Sequence, residues 1–237
     1  MDASPLRRTS QSAVTAIRFW SPLITEDIVL ENKESLKARA IVLSIFIGLM
    51  WFVRGIDSFL PHGFSSAGVG IVPRTWSGLH NIPIAPFIHE DFDHLLSNTI
   101  PFLILGALIL VRGVIEFVFV IFVTTFVSGF GTWLFGEGNA QHIGASGIVF
   151  GFFGYLVFRT AFDRRVSSAI ITLAVAIAYG SAMTWSLIPE DHVSWSGHFF
   201  GFIGGFAAAR MRYPHRPRVV TAEMLSKVID FQSKKTA

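Results

Sequence analysis

No cysteine occurs among the 237 residues, which excludes a disulfide framework, a thiolate metal site and a cysteine nucleophile. Charge is scarce too. Asp, Glu, Lys and Arg make up 15% of the chain, against 51% hydrophobic residues and 24 Phe, too apolar a mixture for a surface kept in water. The solvent that suits such a composition is lipid. The net charge of +3 is modest, and no basic stripe with interleaved aromatics is present, so no nucleic-acid partner is expected. The first 39 residues are polar, with Arg7, Arg8, Arg18, Lys33, Lys37 and Arg39, and run far past the length of a signal n-region. No cleavable signal peptide is expected.

Apolar stretches approaching the roughly 20 residues that span a bilayer fall at 40–59, 94–111, 114–135, 146–162, 167–187 and 195–209. They predict an all-α, polytopic bundle of six transmembrane helices. Four stretches are short or interrupted by polar residues: Arg54 and Asp57 in the first, His94 and Asn98 in the second, Ser146 in the fourth, His198 in the sixth. Residues 60–93, rich in Pro, Gly, His and Trp, read as a loop lying in the membrane interface. The length leaves room for one domain. Its expected parts are a polar cytoplasmic segment at 1–39, the membrane domain at 40–210 and a basic cytoplasmic tail at 211–237 that includes Arg212, Arg216 and Arg218.

Lys and Arg in short connections are retained on the cytoplasmic side. With the amino terminus inside, the inner connections carry Arg112 and then Arg159, Arg164 and Arg165, whereas the outer ones at 133–145 and 188–194 have neither Lys nor Arg. Both termini are therefore expected in the cytoplasm. Helices two, four and six then begin at the outer surface, and His94, Ser146 and His198 each fall in a first turn. Polar side chains at membrane depth are costly and mark function by default, facing the bundle interior or a wet cavity. Capping a helix at the interface is the plainer explanation for any one of them, and three at a common depth weaken it.

Small residues surround two of the three. Gly144 precedes Ser146, Gly147 and Gly151 lie four apart on helix four, and Gly197, Gly201 and Gly205 keep that spacing on helix six. Such stripes let backbones approach closely, and they also occur in bundles that catalyse nothing. Here close approach could bring the Ser146 hydroxyl and the His198 ring within hydrogen-bond reach, the geometry of a nucleophile and its base. His94 and Asn98, one turn apart on helix two, share a face. Both could donate to a developing oxyanion beside the Ser146 main-chain N–H, or could merely hold the bundle together.

These residues resemble the rhomboid family of intramembrane serine proteases, whose pattern is His-x-x-x-Asn on the second core helix, Gly-x-Ser-Gly on the fourth and His-x-x-Gly on the sixth. They stand here as His94 to Asn98, Gly144-Ala145-Ser146-Gly147 and His198 to Gly201, in that order. The resemblance implies a Ser–His dyad without an acid: Ser146 as nucleophile, His198 as general base and then acid, and His94, Asn98 and the Ser146 amide as the oxyanion hole. It implies no cofactor or metal, and as substrates transmembrane or membrane-adjacent segments of other proteins, cut near the outer surface. The chain departs from the family pattern in three places. It has Arg74-Thr75-Trp76-Ser77 where many members carry a Trp-Arg pair, Phe150 where the aromatic under the catalytic His is often Tyr, and Val193 and Gly197 where Gly and Ala are usual.

Three rival readings follow from the same residues. His89-Glu90-Asp91-Phe92-Asp93-His94 looks like a stretched zinc-protease motif, but two His five apart on one α-helix diverge by about 140°. A non-cutting, helix-binding relative would usually lack the Ser or the His, and both are present. A transporter would show broken mid-membrane helices in two matching halves, which are absent. A bacterial inner membrane is the expected location, with the site opening outward. His62, His80, His142, His192 and His215 fall in loops or tails and receive no role.

Overall fold

A computed structural model describes residues 35–60, 63–66, 68–138, 140–163, 165–186, 188 and 194–213. The polar segment before residue 35, the tail beyond 213, and Glu190, Asp191 and Val193 lie outside those residues. The chain forms α1 (Ser35–Asp57), α2 (Gly63–Ser66), α3 (Trp76–His80), a 3-10 turn at Ala85–Phe87, and then α4 (Phe92–Leu110), α5 (Val114–Phe135), α6 (Ser146–Asp163), α7 (Val166–Trp185) and α8 (Trp195–Arg212). The six long helices fall on the six apolar stretches of the sequence. Four of them, α1, α4, α5 and α7, are long and apolar enough to cross a membrane by length and composition. The other two, α6 and α8, are diluted by glycine and by Arg159, Asp163, Arg210 and Arg212.

Each helix start has a local cause. The Asp91 side chain accepts from the His94 N–H at 2.7 Å and caps α4, and Ser194 does the same for α8 through the Gly197 N–H at 3.3 Å. Gly113, with φ of 111°, allows the sharp break between α4 and α5. In the interior, the abundant phenylalanine finds partners: Phe102, Phe117 and Phe152 pack ring to ring at 5.1–6.2 Å, and Phe46 of α1 closes on Phe117 at 5.8 Å. Phe122, Phe126 and Phe130 point outward, as suits a lipid-facing surface.

α8 packs most closely on α6 and then on α5. A Cβ on Gly201 would overlap the Gly147 carbonyl oxygen, and one on Gly205 would overlap that of Gly151. The glycines of α6 work differently from what the sequence suggests. Side chains at Gly147 and Gly151 would strike Ser128 and Thr124 of α5, and Gly197 faces Ser194 and Thr132, so three helices share the small-residue contact instead of two. Ser128 reinforces it by donating to the Gly197 carbonyl at 2.8 Å.

The opposite ends of α4, α6 and α8 carry two buried carboxylates that sequence reading passed over. Asp163 accepts from Arg112 at 2.8 Å, from Ser168 at 2.6 Å and from the Arg165 N–H at 3.0 Å. Glu116 accepts from the hydroxyls of Tyr155 and Tyr213 and pairs with Arg212, tying α5 to α6 and to the end of α8. A buried carboxylate with so many donors is stable only as a set, because removing one partner strands the others.

Glycine contact and glycine in open space separate cleanly in this bundle. Gly205→Val should lower stability by about 1–3 kcal/mol or more through overlap with backbone, whereas Gly180→Ala on α7, with nothing near its Cβ position, should be neutral or raise it by up to about 1 kcal/mol. Thermal unfolding of the purified protein in detergent checks both. Equal effects would refute the packing described.

Candidate active site

Three helix starts converge on one cavity of about 1140 Å³ whose lining includes His94, Asn98, Ser146, Phe150, Ser186 and His198. His94 is in the first turn of α4, Ser146 opens α6 and His198 is in the first turn of α8. Because Ser146 is the first residue of α6, its main-chain N–H has no intrahelical acceptor and stays available. The segment ahead of it is held from the other side of the site. The Gly144 N–H donates to the Ala85 carbonyl at 3.0 Å, and His142 pairs with Ile71 through two backbone bonds of 2.9 Å.

Gly144 has φ of 102°, a conformation that L side chains rarely adopt. Space requires glycine there as well: an added Cβ would stand 2.8 Å from His94 Nε2 and 3.7 Å from Asn98 Nδ2. Those two side-chain nitrogens therefore meet over the chain two residues before the serine. Asn98 is buried and spends one amide hydrogen on the His94 carbonyl at 2.9 Å, which keeps the other for a further acceptor.

His198 is 8% exposed and is held on two sides. Its ring lies flat on Phe150, with centroids 4.2 Å apart and planes 6° from parallel. Its Nδ1 is 2.7 Å from the Ser186 carbonyl at the end of α7. A carbonyl can only accept, so Nδ1 carries the proton, and in the neutral ring Nε2 keeps its lone pair for another task. Among the described residues no hydrogen bond joins the Ser146 hydroxyl to His198. Apo sites often hold such pairs apart until substrate arrives.

Three groups of the site escaped the sequence reading. Ser186 contributes only a carbonyl, which no side-chain pattern reveals. His142 is half-buried, with Nδ1 2.7 Å from the Ser194 hydroxyl, and is not a solvated loop residue. Burial lowers its pKa. His89 is 1% exposed and accepts from the Ala145 N–H through Nε2 at 3.4 Å. His89 precedes α4, so helical phase does not separate it from His94, and the two rings meet edge to face at 5.2 Å. What occupies His89 Nε2 is the chain leading to Ser146.

An all-helical membrane protein with serine, histidine and asparagine around one cavity is the class these observations define. Residues 77–215 match the Rhomboid domain, and the chain belongs to the rhomboid family, a family of intramembrane proteases. It is 34% identical over 172 residues to an uncharacterized protein of Mycobacterium tuberculosis, covering 69% of this chain and 71% of that one. A second uncharacterized protein, from Mycobacterium leprae, is 34% identical over 178 residues, 71% of this chain and 69% of its own. A Bacillus subtilis protein named "Putative rhomboid protease YdcA" is 31% identical over 145 residues, 58% of this chain and 68% of that one.

Burial, with His94 beside it, holds the His89 imidazole down at about 4. The folded chain thus refuses a proton that the unfolded chain binds at about 6.5, and stability should fall as pH drops from about 6.5 to 4. In His89→Gln, whose amide oxygen can still accept from Ala145, that fall should be shallower by up to about 3 kcal/mol. Denaturant unfolding at pH 7.5, 6 and 4.5 measures it. Parallel curves would show that His89 is not the buried titrating group.

Proposed function

We propose that this protein is an intramembrane serine endopeptidase that cleaves transmembrane or membrane-adjacent segments of other membrane proteins. Ser146 Oγ attacks the scissile carbonyl carbon while His198 Nε2 takes its proton. The tetrahedral oxyanion accepts from His94, from the free amide hydrogen of Asn98 and from the Ser146 main-chain N–H. His198 then returns the proton to the leaving nitrogen as the carbon–nitrogen bond breaks. Water, deprotonated by the same imidazole, releases the acyl group from Ser146.

The observation that carries this reading is that His198 commits Nδ1 to the Ser186 carbonyl, in the cavity that also exposes Ser146. That bond selects the tautomer a base needs, a role that a carboxylate performs in soluble triads. The family adds support at its own level. All six long helices cross the bilayer in this proposal, α6 largely enclosed by its neighbours and α8 turning Phe199, Ile203 and Phe206 outward. The termini face the cytoplasm of a bacterial inner membrane and the cavity opens outward, following the arginines of the inner connections. No metal or cofactor takes part.

A second reading draws on the missing Ser146–His198 hydrogen bond: a factor that binds transmembrane helices in the same cavity without cutting them. Chemistry separates the two. In proteoliposomes with a transmembrane model substrate, Ser146→Ala and His198→Ala should each lower cleavage by at least about 10³-fold, and Asn98→Ala by about 10²-fold. A fluorophosphonate should label the wild type and leave Ser146→Ala unlabelled. Cleavage should also weaken at acid pH, since a protonated imidazole cannot accept the serine proton. Undiminished cleavage by Ser146→Ala, or a wild type that neither cuts nor labels, overturns the protease reading.

A further inference from the structure

Given the Ser146–His198 chemistry proposed above, we infer that His142 is a positioning residue that straps the serine-bearing loop to the histidine-bearing helix through the Ser194 hydroxyl. His142 lies four residues before Ser146, and Ser194 lies four residues before His198. One hydrogen bond of 2.7 Å therefore joins the two segments that carry nucleophile and base, each at the same chain distance from its reacting group.

Both ends of the strap are anchored. The His142 backbone exchanges two hydrogen bonds with Ile71, so the residue cannot slide along the loop. Ser194 is the N-cap of α8: its hydroxyl accepts from the Gly197 N–H at 3.3 Å, and its carbonyl accepts from the His198 N–H at 3.1 Å. A displacement of Ser194 is thus passed to the first turn of α8 and to His198 with little slack. The Ser194 hydroxyl is the side-chain partner of this ring, and the Glu137 backbone lies beside it. Either proton placement preserves the strap. A serine hydroxyl can donate to a bare Nδ1 or accept from a protonated one.

The strap has work to do because Ser146 and His198 do not bond to each other in this structure. Without a direct bond, the depth and rotation of one against the other are set by the surrounding ties. The α6–α8 glycine contact fixes separation, and the Ser186 carbonyl with Phe150 fixes the plane of the base. Neither controls how far the start of α8 rides up or down past the Ser146 loop. The bond from His142 runs across that gap. Small misplacement at a reacting pair is costly, about 10²-fold for roughly 1 Å.

The test uses the full chain in proteoliposomes, with His142→Leu, His142→Asn, Ser194→Ala and the double variant His142→Leu/Ser194→Ala. The expected result is a kcat lowered by about ten- to hundredfold in His142→Leu, with KM within about twofold of wild type. Asn, whose amide reaches the Nδ1 position, should recover most of the rate. The double variant should be no worse than the more affected single, the signature of two residues acting through one contact. Hydrogen exchange of the 195–198 amides should quicken in His142→Leu while the α5 amides stay unchanged, whether or not the protein cuts. Wild-type kcat in His142→Leu, additive losses in the double variant, or unaltered exchange at 195–198 would overturn the strap. Failure of the protease reading looks different: altered exchange at 195–198 beside a wild type that no fluorophosphonate labels.

Discussion

Where α8 meets α6, the backbone of one helix touches the backbone of the other. A methyl group on Gly201 would overlap the Gly147 carbonyl, and Gly205 stands in the same relation to Gly151. Lipid offers no hydrophobic gain for pressing helices together, so this contact is held by dispersion and by the polar bonds it permits, such as Ser128 to the Gly197 carbonyl. Everything at the candidate site depends on it. Ser146 sits one residue before the contact and His198 three residues before its other side, so a bulky residue at Gly201 would part the two helices at the level where these side chains lie.

The second constraint is the need to pair every polar group at membrane depth. The bundle sets its polar groups in two layers, one at each end of α4, α6 and α8, and Arg159 Nε and Nη1 and Ser196 Oγ stay without a hydrogen-bond partner among the described residues. The far layer is charged and closed: Glu116 and Asp163 are each surrounded by donors. The layer at the cavity is open, made of imidazoles, an amide, hydroxyls and main-chain groups, with Glu90, Asp93 and Glu137 also on the lining. Charge ties the far end together, while the cavity end keeps lone pairs and protons that can be exchanged.

Helices and their polar interruptions were legible because each leaves a periodic or compositional trace. Six apolar stretches became α1, α4, α5, α6, α7 and α8, with boundaries shifted by a few residues, as at α1, which begins at Ser35 instead of near residue 40. His94, Asn98, Ser146 and His198 stood out as polar residues in apolar surroundings, and the structure gathers them at one cavity. His89 and His142 did not stand out, since a histidine in a loop rich in polar residues has no contrast with its neighbours. Their burial arises only when residues 71–89 fold over the chain that leads to Ser146. Ser186 was invisible for a deeper reason: its part is played by a carbonyl that every residue has. The glycine contact of α6 with α8 was legible from spacing, and the share of α5 in it was not, because spacing gives the face of a helix and not every neighbour it meets.

In the proposed chemistry, the choice of a carbonyl to hold the base follows from the medium. An ionised carboxylate in that position would bind the imidazolium more strongly, but it would first have to lose its hydration, at a cost of several kcal/mol in an interior that water reaches poorly. The Ser186 carbonyl fixes the same tautomer with a neutral dipole and avoids that cost. Its weakness is that it stabilises the charged ring less once the proton has been taken. Phe150, face to face with His198 at 4.2 Å, offsets part of this, because an aromatic face over a desolvated cation is worth about 2 kcal/mol. Tyrosine at that position would add a hydroxyl without changing the ring face, so the phenylalanine of this chain keeps the property that matters to the base. In the proposed chemistry the dyad thus needs no acid: orientation comes from a main-chain oxygen and charge stabilisation from a ring, both of which a bilayer tolerates.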